Sequence, residues 1–488
     1  MICKKKKEMA SLVSGTKLEE LFDKIKDKSK KAYIEQCNNG DILGFERALR
    51  QDMDDLYNAV CGEVLPQSAL ELQPVLYEKA SNLGLSKLQI RPYTIQVGTG
   101  HLVEVENYYG CKVSDDYQES QRHSIALYWG LIGKSSPSYY DKVGYCTTIC
   151  PSYCLSNQLL IKFGIGGCIS HNRDLMNMMS SFCMDKEEHL VIETSDKLTN
   201  KRVVISVDGG RTRTREYTGS MNDLGHASYD TPWCEPKLFV IDVLNDKGKP
   251  DFNQKPLYGC RFDEQDFFNL FRRYLSVLDI ENAESVQIIA DGAPWIWLNV
   301  KDILMEQGVV ETKIVETLDH CHAISYVNDL VKAMPKFILP EVAKVVPEVV
   351  PEVVPEVVPV PGKEEQKEPI PVNCLKTFKE WLWEGQSEKI VKICREIFKE
   401  PSQEINRWIN YIEKHINRTQ YTDFKERNLL CGSGIIESAI RRIINLKYKN
   451  ASTFWDRTVV EKLYFFRATL LSNRWEILIQ NLAKSKFM

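Results

Sequence analysis

Five short, largely apolar segments between residues 202 and 319, the third of them weaker than the others, constrain the fold of this 488-residue chain more than any other feature. Segments of this length and composition are typical of strands buried on both faces. Residues 263–280 and 322–334 instead repeat apolar side chains at three- and four-residue spacing, which predicts helices beside those strands. The pattern therefore predicts an α/β fold, a mixed sheet flanked by helices. The strand segments are 202–208, 237–246, 255–263, 284–291 and 313–319.

Two aspartates stand at strand ends, where a sheet presents side chains to a ligand. Asp208 ends the first segment and Asp291 ends the fourth, and a glycine follows each. Carboxylates on neighbouring strands can share a divalent cation, and their hard oxygen atoms suit Mg²⁺. Glu437 lies in an apolar helix one turn before Arg441, and a third carboxylate there would complete a two-metal site. The alternative is that each Asp-Gly is only a turn and that Glu437 only favours its helix end or pairs with Arg441.

These motifs, taken in order, resemble bacterial insertion-sequence transposases with a ribonuclease-H-like DDE catalytic core. The resemblance rests on the first Asp-Gly, then ADGAPWIW, LDHCHA, GSGIIESAIRR and LYFFRATLLSNRW. It covers about residues 200–335 and 425–475. It implies a ribonuclease-H-like mixed sheet that a helical C-terminal part completes, with Asp208, Asp291 and Glu437 as catalytic metal ligands.

The resemblance also implies a reaction and its participants. Two Mg²⁺ ions, for which Mn²⁺ can substitute, would support phosphodiester hydrolysis at the element ends and then strand transfer into target DNA. The expected partners are the terminal inverted repeats, the target DNA and further copies of the chain, as a homo-oligomer on DNA. Three alternatives stay open: an inactive or domesticated DNA-binding relic, a ribonuclease-H-like nuclease without strand transfer, and an interaction scaffold.

Several basic or aromatic side chains near these acids are candidates for DNA contact. Arg211, Arg213 and Arg215 alternate, so in a strand they share one face that holds phosphates or is simply solvated. Residues 437–488 contain ten Lys or Arg and four Asp or Glu, which predicts a local positive patch. We also expect His322, Arg441 and Arg442 to contact DNA, and Trp295 and Trp297 either to stack on a base or to pack under the sheet.

The same patterns divide the chain into four regions. Residues 1–195 are mainly helical with a small β-hairpin near 88–111, and we expect them to bind element-end DNA. Two helices separated at Pro151 are either a helix-turn-helix or ordinary helix packing. Residues 200–335 form the first part of the core, and residues 373–488 form the helical part that carries Glu437.

A repeat of Pro-Glu-Val-Val interrupts the chain within residues 336–372. Proline at every fourth position prevents a continuous helix and removes backbone donors from a strand. We therefore predict an extended, exposed linker without chemistry, with a recognition peptide as the alternative. The prolines are Pro347, Pro351, Pro355 and Pro359.

Composition excludes several classes of protein. The 63 Lys and Arg against 67 Asp and Glu give a net charge of −4, which excludes a uniformly basic coat but permits a local patch. Fifteen scattered cysteines suit free thiols in a reducing compartment. No apolar region follows the lysines at positions 4–7, so we expect no secretory signal, and the apolar stretches are too short to span a bilayer. We expect a cytoplasmic, nucleoid-associated protein with neither a membrane partner nor a small-molecule substrate.

Overall fold

The chain forms two units, residues 1–190 with 474–488 and residues 191–473. The structure is a computed structural model, and it describes residues 16–82, 84–111, 123–338, 340–349, 370–372, 374–449 and 454–484. Within those ranges, no helix has both the length and the apolar character needed to span a membrane.

The first unit is mainly helical and contains one hairpin. Strand β1, Ser86–Gln96, pairs antiparallel with strand β2, Leu102–Cys111, and Ile95 lies opposite Val103 in its buried part. The apolar face of this hairpin packs with Leu76 and Ile125 in one core cluster. The helices of this unit are Thr16–Asn38, Ile42–Glu71, Gln73–Asn82, Ser124–Tyr128, Pro137–Ile149, Tyr153–Lys162, Ile169–Cys183, Glu187–Val191 and Trp475–Ala483.

The two helices around Pro151 each begin at a serine cap. Ser136 accepts a hydrogen bond from the Tyr139 amide, and Ser152 accepts one from the Leu155 amide. These caps satisfy amide groups that a helix start leaves unpaired, so the break at the proline produces two separate helices. That this pair reads DNA stays a prediction.

The last helix, Trp475–Ala483, belongs to the first unit, although its sequence pattern groups it with residues 373–488. The Trp475 indole donates a hydrogen bond of 2.7 Å to Asp141, and the Asn481 amide donates one of 2.8 Å to the Leu190 carbonyl. Partners more than 290 positions away in the chain hold this helix, and a local apolar pattern cannot reveal them.

The second unit contains the remaining strands, and five of them form one mixed sheet in the order β10-β9-β3-β7-β8. Strand β7 is antiparallel to β3 and β8, whereas β9 is parallel to β3 and to β10. The predicted α/β class with a mixed sheet is confirmed. The strands are β3 Arg202–Gly209, β4 Thr212–Met221, β5 Ala227–Asp230, β6 Trp233–Cys234, β7 Lys237–Leu244, β8 Leu257–Arg261, β9 Ser285–Ala290, β10 Ile314–Leu318, β11 Phe337–Ile338, β12 Ile370–Pro371 and β13 Trp455–Asp456.

Burial explains why these segments form the sheet. Strand β3 is buried from Val203 to Val207, and β7 is buried over most of its length. The helix Glu264–Leu278 covers the sheet with an aromatic face that includes Phe267 and Phe271. Asp263 starts that helix by accepting hydrogen bonds from two backbone amides.

A second, smaller sheet in this unit was not predicted. Strands β13, β4 and β5 are neighbours in it, and β6 also pairs with β4. Strand β4 alternates Thr with Arg and then becomes fully exposed, so it lacks the apolar period by which strands are recognised.

Helices make up most of the rest of the second unit. Their core includes Phe378, Leu382, Ile390 and Ile409, all fully buried. The residues Arg441–Asn445 form a π-helical turn, a local widening often found at functional sites. The α-helices are Glu264–Leu278, Pro294–Trp297, Val300–Glu306, His320–Ala333, Pro340–Ala343, Leu375–Trp383, Ser387–Ile397, Gln403–Lys414, Tyr421–Glu426, Gly434–Ile440, Leu446–Tyr448 and Arg457–Leu471, and the 3₁₀ helices are Thr194–Asp196, Ile280–Asn282, Glu311–Lys313, Pro347–Val349 and Ile416–Arg418.

The prediction of an extended, exposed linker is wrong for the part of it that ends at Val349. The 3₁₀ turn Pro347–Val349 buries Val349, and Val346 just before it is also fully buried in the helical core. Proline suits the first position of a helical turn, and burial of the two valines offsets the cost of ordering this segment. Strand β11 also pairs with β12, on the far side of the repeat. Residues 350–369 lie outside the described residues.

Candidate metal and DNA site

Three neighbouring parallel strands each end at an aspartate. Val207 of β3 pairs with Ala290 of β9, and Ala290 pairs with Leu318 of β10. Asp208 is the next-to-last residue of β3, and Asp291 and Asp319 directly follow β9 and β10. The carboxyl ends of parallel strands meet at one edge of a sheet, so this edge carries three adjacent carboxyl groups. Ligand sites of open α/β sheets form at such edges.

Asp208 is held in an environment that disfavours its charge. Burial, the nearby charge of Asp291 and, more weakly, that of Glu235 raise the pKa of Asp208 to about 7. The Gly209 amide, which donates a hydrogen bond of 2.6 Å to this carboxylate, and the His322 ring oppose the rise. Two carboxylates that repel each other at a partly buried edge form a site that a cation would stabilise.

The loop after Asp291 is held by aromatic side chains. The Trp297 indole donates a hydrogen bond of 2.6 Å to the Asp291 carbonyl, and the Ala293 amide donates one of 2.9 Å to the Asp291 carboxylate. A Cβ atom at Gly292 would overlap the ring of Tyr411. This glycine is therefore required by the close approach of a ring, in addition to any turn.

Asp319 was predicted only as a strand end, yet it joins several parts of the site. It is 1% exposed and begins the helix His320–Ala333 by accepting hydrogen bonds from the Cys321 and His322 amides. It also accepts a hydrogen bond of 3.1 Å from the Ser433 amide and contacts His322 Nδ1 at 2.7 Å. Burial would raise its pKa, but the His322 ring and the Ser433 and Cys321 amides together lower it.

Glu437 lies close to this aspartate and its histidine. The Ser433 amide bond to Asp319 holds the start of the helix Gly434–Ile440, which packs against β3 and β7. Ligand atoms of Asp319, His322 and exposed Glu437 all lie within 4.8 Å of one another.

His322 connects this group to the two strand-end aspartates. Its hydrogen bond with Asp319, and the charges of Asp319, Asp291 and Asp208, raise the pKa of His322 against the effect of burial. Asp208, Asp291 and Glu437 do not by themselves form an equally close trio among the described residues. His322 is therefore close to Glu437 by distance, and it also interacts with the charges of Asp208 and Asp291.

Two further aromatic residues of the predicted region lie in packed surroundings. His320 packs edge-on against Trp383 and Tyr421, with ring centroids 4.8 Å from each, and burial lowers its pKa. The Trp295 ring packs against Phe267 at 5.7 Å.

The predicted basic residues divide into exposed and buried ones. Arg211, Arg213 and Arg215 lie on one exposed face of β4 and just before it, and Arg441 is exposed beside Glu437. Arg442 is half-buried and donates a hydrogen bond to the Tyr258 hydroxyl. Residues 437–488 divide between the two units. Two cations of this stretch, Lys447 at 2% exposure and Arg474 at 4%, are buried and do not contribute to an exposed positive surface.

Three residues of the site were not predicted from the sequence as site residues. Asp319 had a usable signal, because it follows a strand in the same way as the other two aspartates. Glu235 and Tyr411 had none, since each reaches the site only through the fold. A Cβ atom at Gly209 would overlap the Glu235 carboxylate, and the charges of Asp291 and Asp319 add to burial in raising the pKa of Tyr411.

Comparisons with known proteins give little further guidance. No protein-family model and no curated protein matches the chain. Among solved structures, the chain is similar to the Drosophila P element transposase strand transfer complex at 12% identity. The match covers 72% of this chain and 82% of that chain, with a TM-score of 0.24. A likeness at this identity and TM-score establishes neither a shared fold nor a shared activity.

Proposed function

We propose that this chain is a DNA transposase of the bacterial insertion-sequence type, with a ribonuclease-H-like core and Asp208, Asp291 and Glu437 as its catalytic metal ligands. The observation that carries the proposal is the position of Asp208 and Asp291 at adjacent ends of parallel strands, with Glu437 linked to them through His322. The strand order supports the ribonuclease-H-like assignment, because two parallel strands follow an antiparallel trio.

The residues at this edge fit a divalent cation. Oxygen donors dominate the set, which suits Mg²⁺ or Mn²⁺, and a bound cation would offset the mutual repulsion of Asp208 and Asp291. Asp208, Asp291 and Glu437 would hold the ions. Bound ions would activate a water molecule or a DNA 3′-hydroxyl as the nucleophile, and they would stabilise the leaving oxyanion.

The remaining residues of the site position these ligands. Asp319 fixes the His322 ring and, through the Ser433 amide, the start of the Glu437 helix. Trp297 holds the Asp291 carbonyl, and the Tyr411 ring fills the space beside Gly292. Such supporting contacts hold ligands within the narrow tolerance that metal-dependent chemistry needs.

Exposed cations near the site support DNA as the partner. The side chains of Arg211, Arg213, Arg215 and Arg441 are accessible to phosphates. We assign recognition of the element ends to residues 1–195. The DNA partners that we expect for the chain are the terminal inverted repeats and the target DNA. Joining two ends requires two active sites, so we expect a homo-oligomer on DNA.

Cleavage of DNA that carries the native flanks of the coding region tests this function. The full chain with Mg²⁺ should nick such end-labelled DNA and join its 3′-ends to a supercoiled plasmid. Asp208→Asn, Asp291→Asn and Glu437→Gln should each reduce both products by about 10²-fold or more, because each removes a ligand of an ion that would stabilise transition-state charge. Asp242→Asn is the matched control, since Asp242 is a buried aspartate on the neighbouring strand β7.

The outcomes separate the alternatives. Cleavage without joined products would identify a nuclease, and no cleavage by the unmutated chain would identify a DNA-binding relic. Activity that survives any of the three substitutions at the site would show that the ligands are assigned wrongly.

A further inference from the structure

The strands β4, β5 and β6 form an arm that leaves the sheet edge directly after Asp208. Along β4, the pleat places Arg213, Arg215 and Tyr217 on one face. Arg213 pairs with Trp233 of β6, and Tyr217 pairs with Tyr229 of β5. One face of the arm therefore interleaves arginines with aromatic rings.

Each arginine of this face lies over a ring. The Arg211 and Arg213 guanidinium carbons are 4.6 Å and 5.0 Å from the centre of the Trp233 ring, and that of Arg215 is 4.4 Å from the centre of the Tyr229 ring. Trp233 is nevertheless 50% exposed. A half-exposed tryptophan under two cations has an open surface that water solvates poorly.

This face carries more positive than negative charge. Asp456 of β13 lies in register with Arg215, and its carboxylate caps the helix Arg457–Leu471. Among the described residues, none of the three guanidinium groups forms an ion pair with a carboxylate. Glu216 and Asp230 pair with each other in register, so the pleat directs both away from the arginine face. Burial, and to a smaller extent the charge of Arg211, lower the pKa of Lys449. Lys449 is therefore a fourth cation near the start of the arm.

We propose that this face binds a segment of single-stranded DNA. Arginines can hold successive phosphates while rings stack on unpaired bases, whereas the bases of a duplex are already stacked and cannot reach Trp233 or Tyr229. Arg211 follows Asp208 by three positions, so a strand bound here lies beside the proposed metal site. The inference rests on the proposed function for the choice of DNA, and it assigns the arm to the strand freed at a cut end.

Fluorescence anisotropy with a labelled 15-mer of thymidine tests this inference. The full chain is titrated in EDTA, with a blunt duplex of the same length as the second ligand. Trp233→Ala and Tyr229→Ala should weaken single-strand binding about tenfold or more, and Trp233→Phe should retain most of the affinity. Phe252→Ala is the matched control, since Phe252 is 88% exposed outside the arm and should bind as the unmutated chain does.

Salt dependence supplies a second measurement that does not depend on aromatic packing. Arg213→Gln should reduce the slope of log affinity against log salt by about 0.7, the value for one phosphate contact to a single strand. An unchanged slope would contradict phosphate contact at Arg213.

Three results would overturn the inference. They are no single-strand binding by the unmutated chain, equal affinity of the aromatic variants and the unmutated chain, or an equal loss of duplex affinity. Binding in EDTA needs no metal, so failed cleavage would refute the proposed function without changing this result. Intact cleavage with unaltered single-strand binding in the aromatic variants would refute only the arm.

Discussion

Replacing Asp208 by asparagine should stabilise the metal-free protein while it removes the proposed metal site. The Asp208 carboxyl has a pKa of about 7 in the folded chain, because burial and Asp291 disfavour its charge, against 3.8 as its ordinary value. Folding therefore carries a free-energy penalty whenever the Asp208 carboxyl is ionised. This penalty is absent below pH 4, grows as the pH rises from 4 to 7, and is complete above pH 7.

The size of the effect follows from the two pKa values. A difference of about three units corresponds to about 4 kcal/mol, and partial exposure of Asp208 reduces the net effect to roughly 2–3 kcal/mol. At pH 8 in EDTA, Asp208→Asn should raise the melting temperature of the second unit by roughly 4–10 °C. At pH 4 the variant and the unmutated chain should melt together.

Differential scanning fluorimetry with and without Mg²⁺ measures both parts of this prediction. Saturating Mg²⁺ at about 100 times its dissociation constant should stabilise the unmutated chain by about 2.7 kcal/mol and the variant far less. Asp242→Asn is the control, because burial raises the pKa of Asp242 to about 6 outside the site. It should also stabilise the metal-free chain at pH 8 but leave the Mg²⁺ increment intact. An unchanged or lower melting temperature of Asp208→Asn in EDTA would refute the reasoning.

Three further predictions test the surroundings of the site. Gly292→Ala should destabilise the fold by about 1–3 kcal/mol and weaken Mg²⁺ binding, because its Cβ atom overlaps the Tyr411 ring; an unchanged denaturation midpoint would contradict this. Asp319→Asn should lower the pKa of His322, because the hydrogen bond from His322 to the Asp319 carboxylate raises it. An NMR titration of the His322 ring that finds no lower pKa in the variant would show that this pair is not formed. Val346→Ala should cost about 1–3 kcal/mol of unfolding free energy, whereas Val345→Ala, at a 54% exposed position, should cost under about 0.5; equal costs would contradict the packing of this segment.

The sequence predicted those parts of the fold whose signals are local. Strands β3, β7 and β9 are nearly continuous apolar runs, and their burial in the sheet is what such runs indicate. Strand β10 contains Glu316 and Thr317 and is only partly buried. The strand-end positions of Asp208 and Asp291 followed from the same runs. Asp319 could have been added by the same rule.

The remainder depends on contacts between distant segments. From the sequence, Val346 and Val349 were predicted to belong to a linker. They are buried in a core cluster that includes residues of distant helices, such as Phe378 and Ile409. Tyr411 lies on a helix whose apolar period indicates only packing, and its approach to Gly292 exists only in three dimensions. Strand β4 alternates Thr with Arg and lacks an apolar period, so its pairing with β5 and β6 could not be predicted from the sequence.

Anomalous diffraction from crystals soaked in Mn²⁺ tests the central claim most directly. We predict anomalous peaks within about 2.2 Å of carboxylate oxygens of Asp208 and Asp291, with Glu437 as a further ligand, and the loss of these peaks in Asp208→Asn. Peaks confined to the group of Asp319, His322 and Glu437, or no peak at this edge of the sheet, would contradict the account.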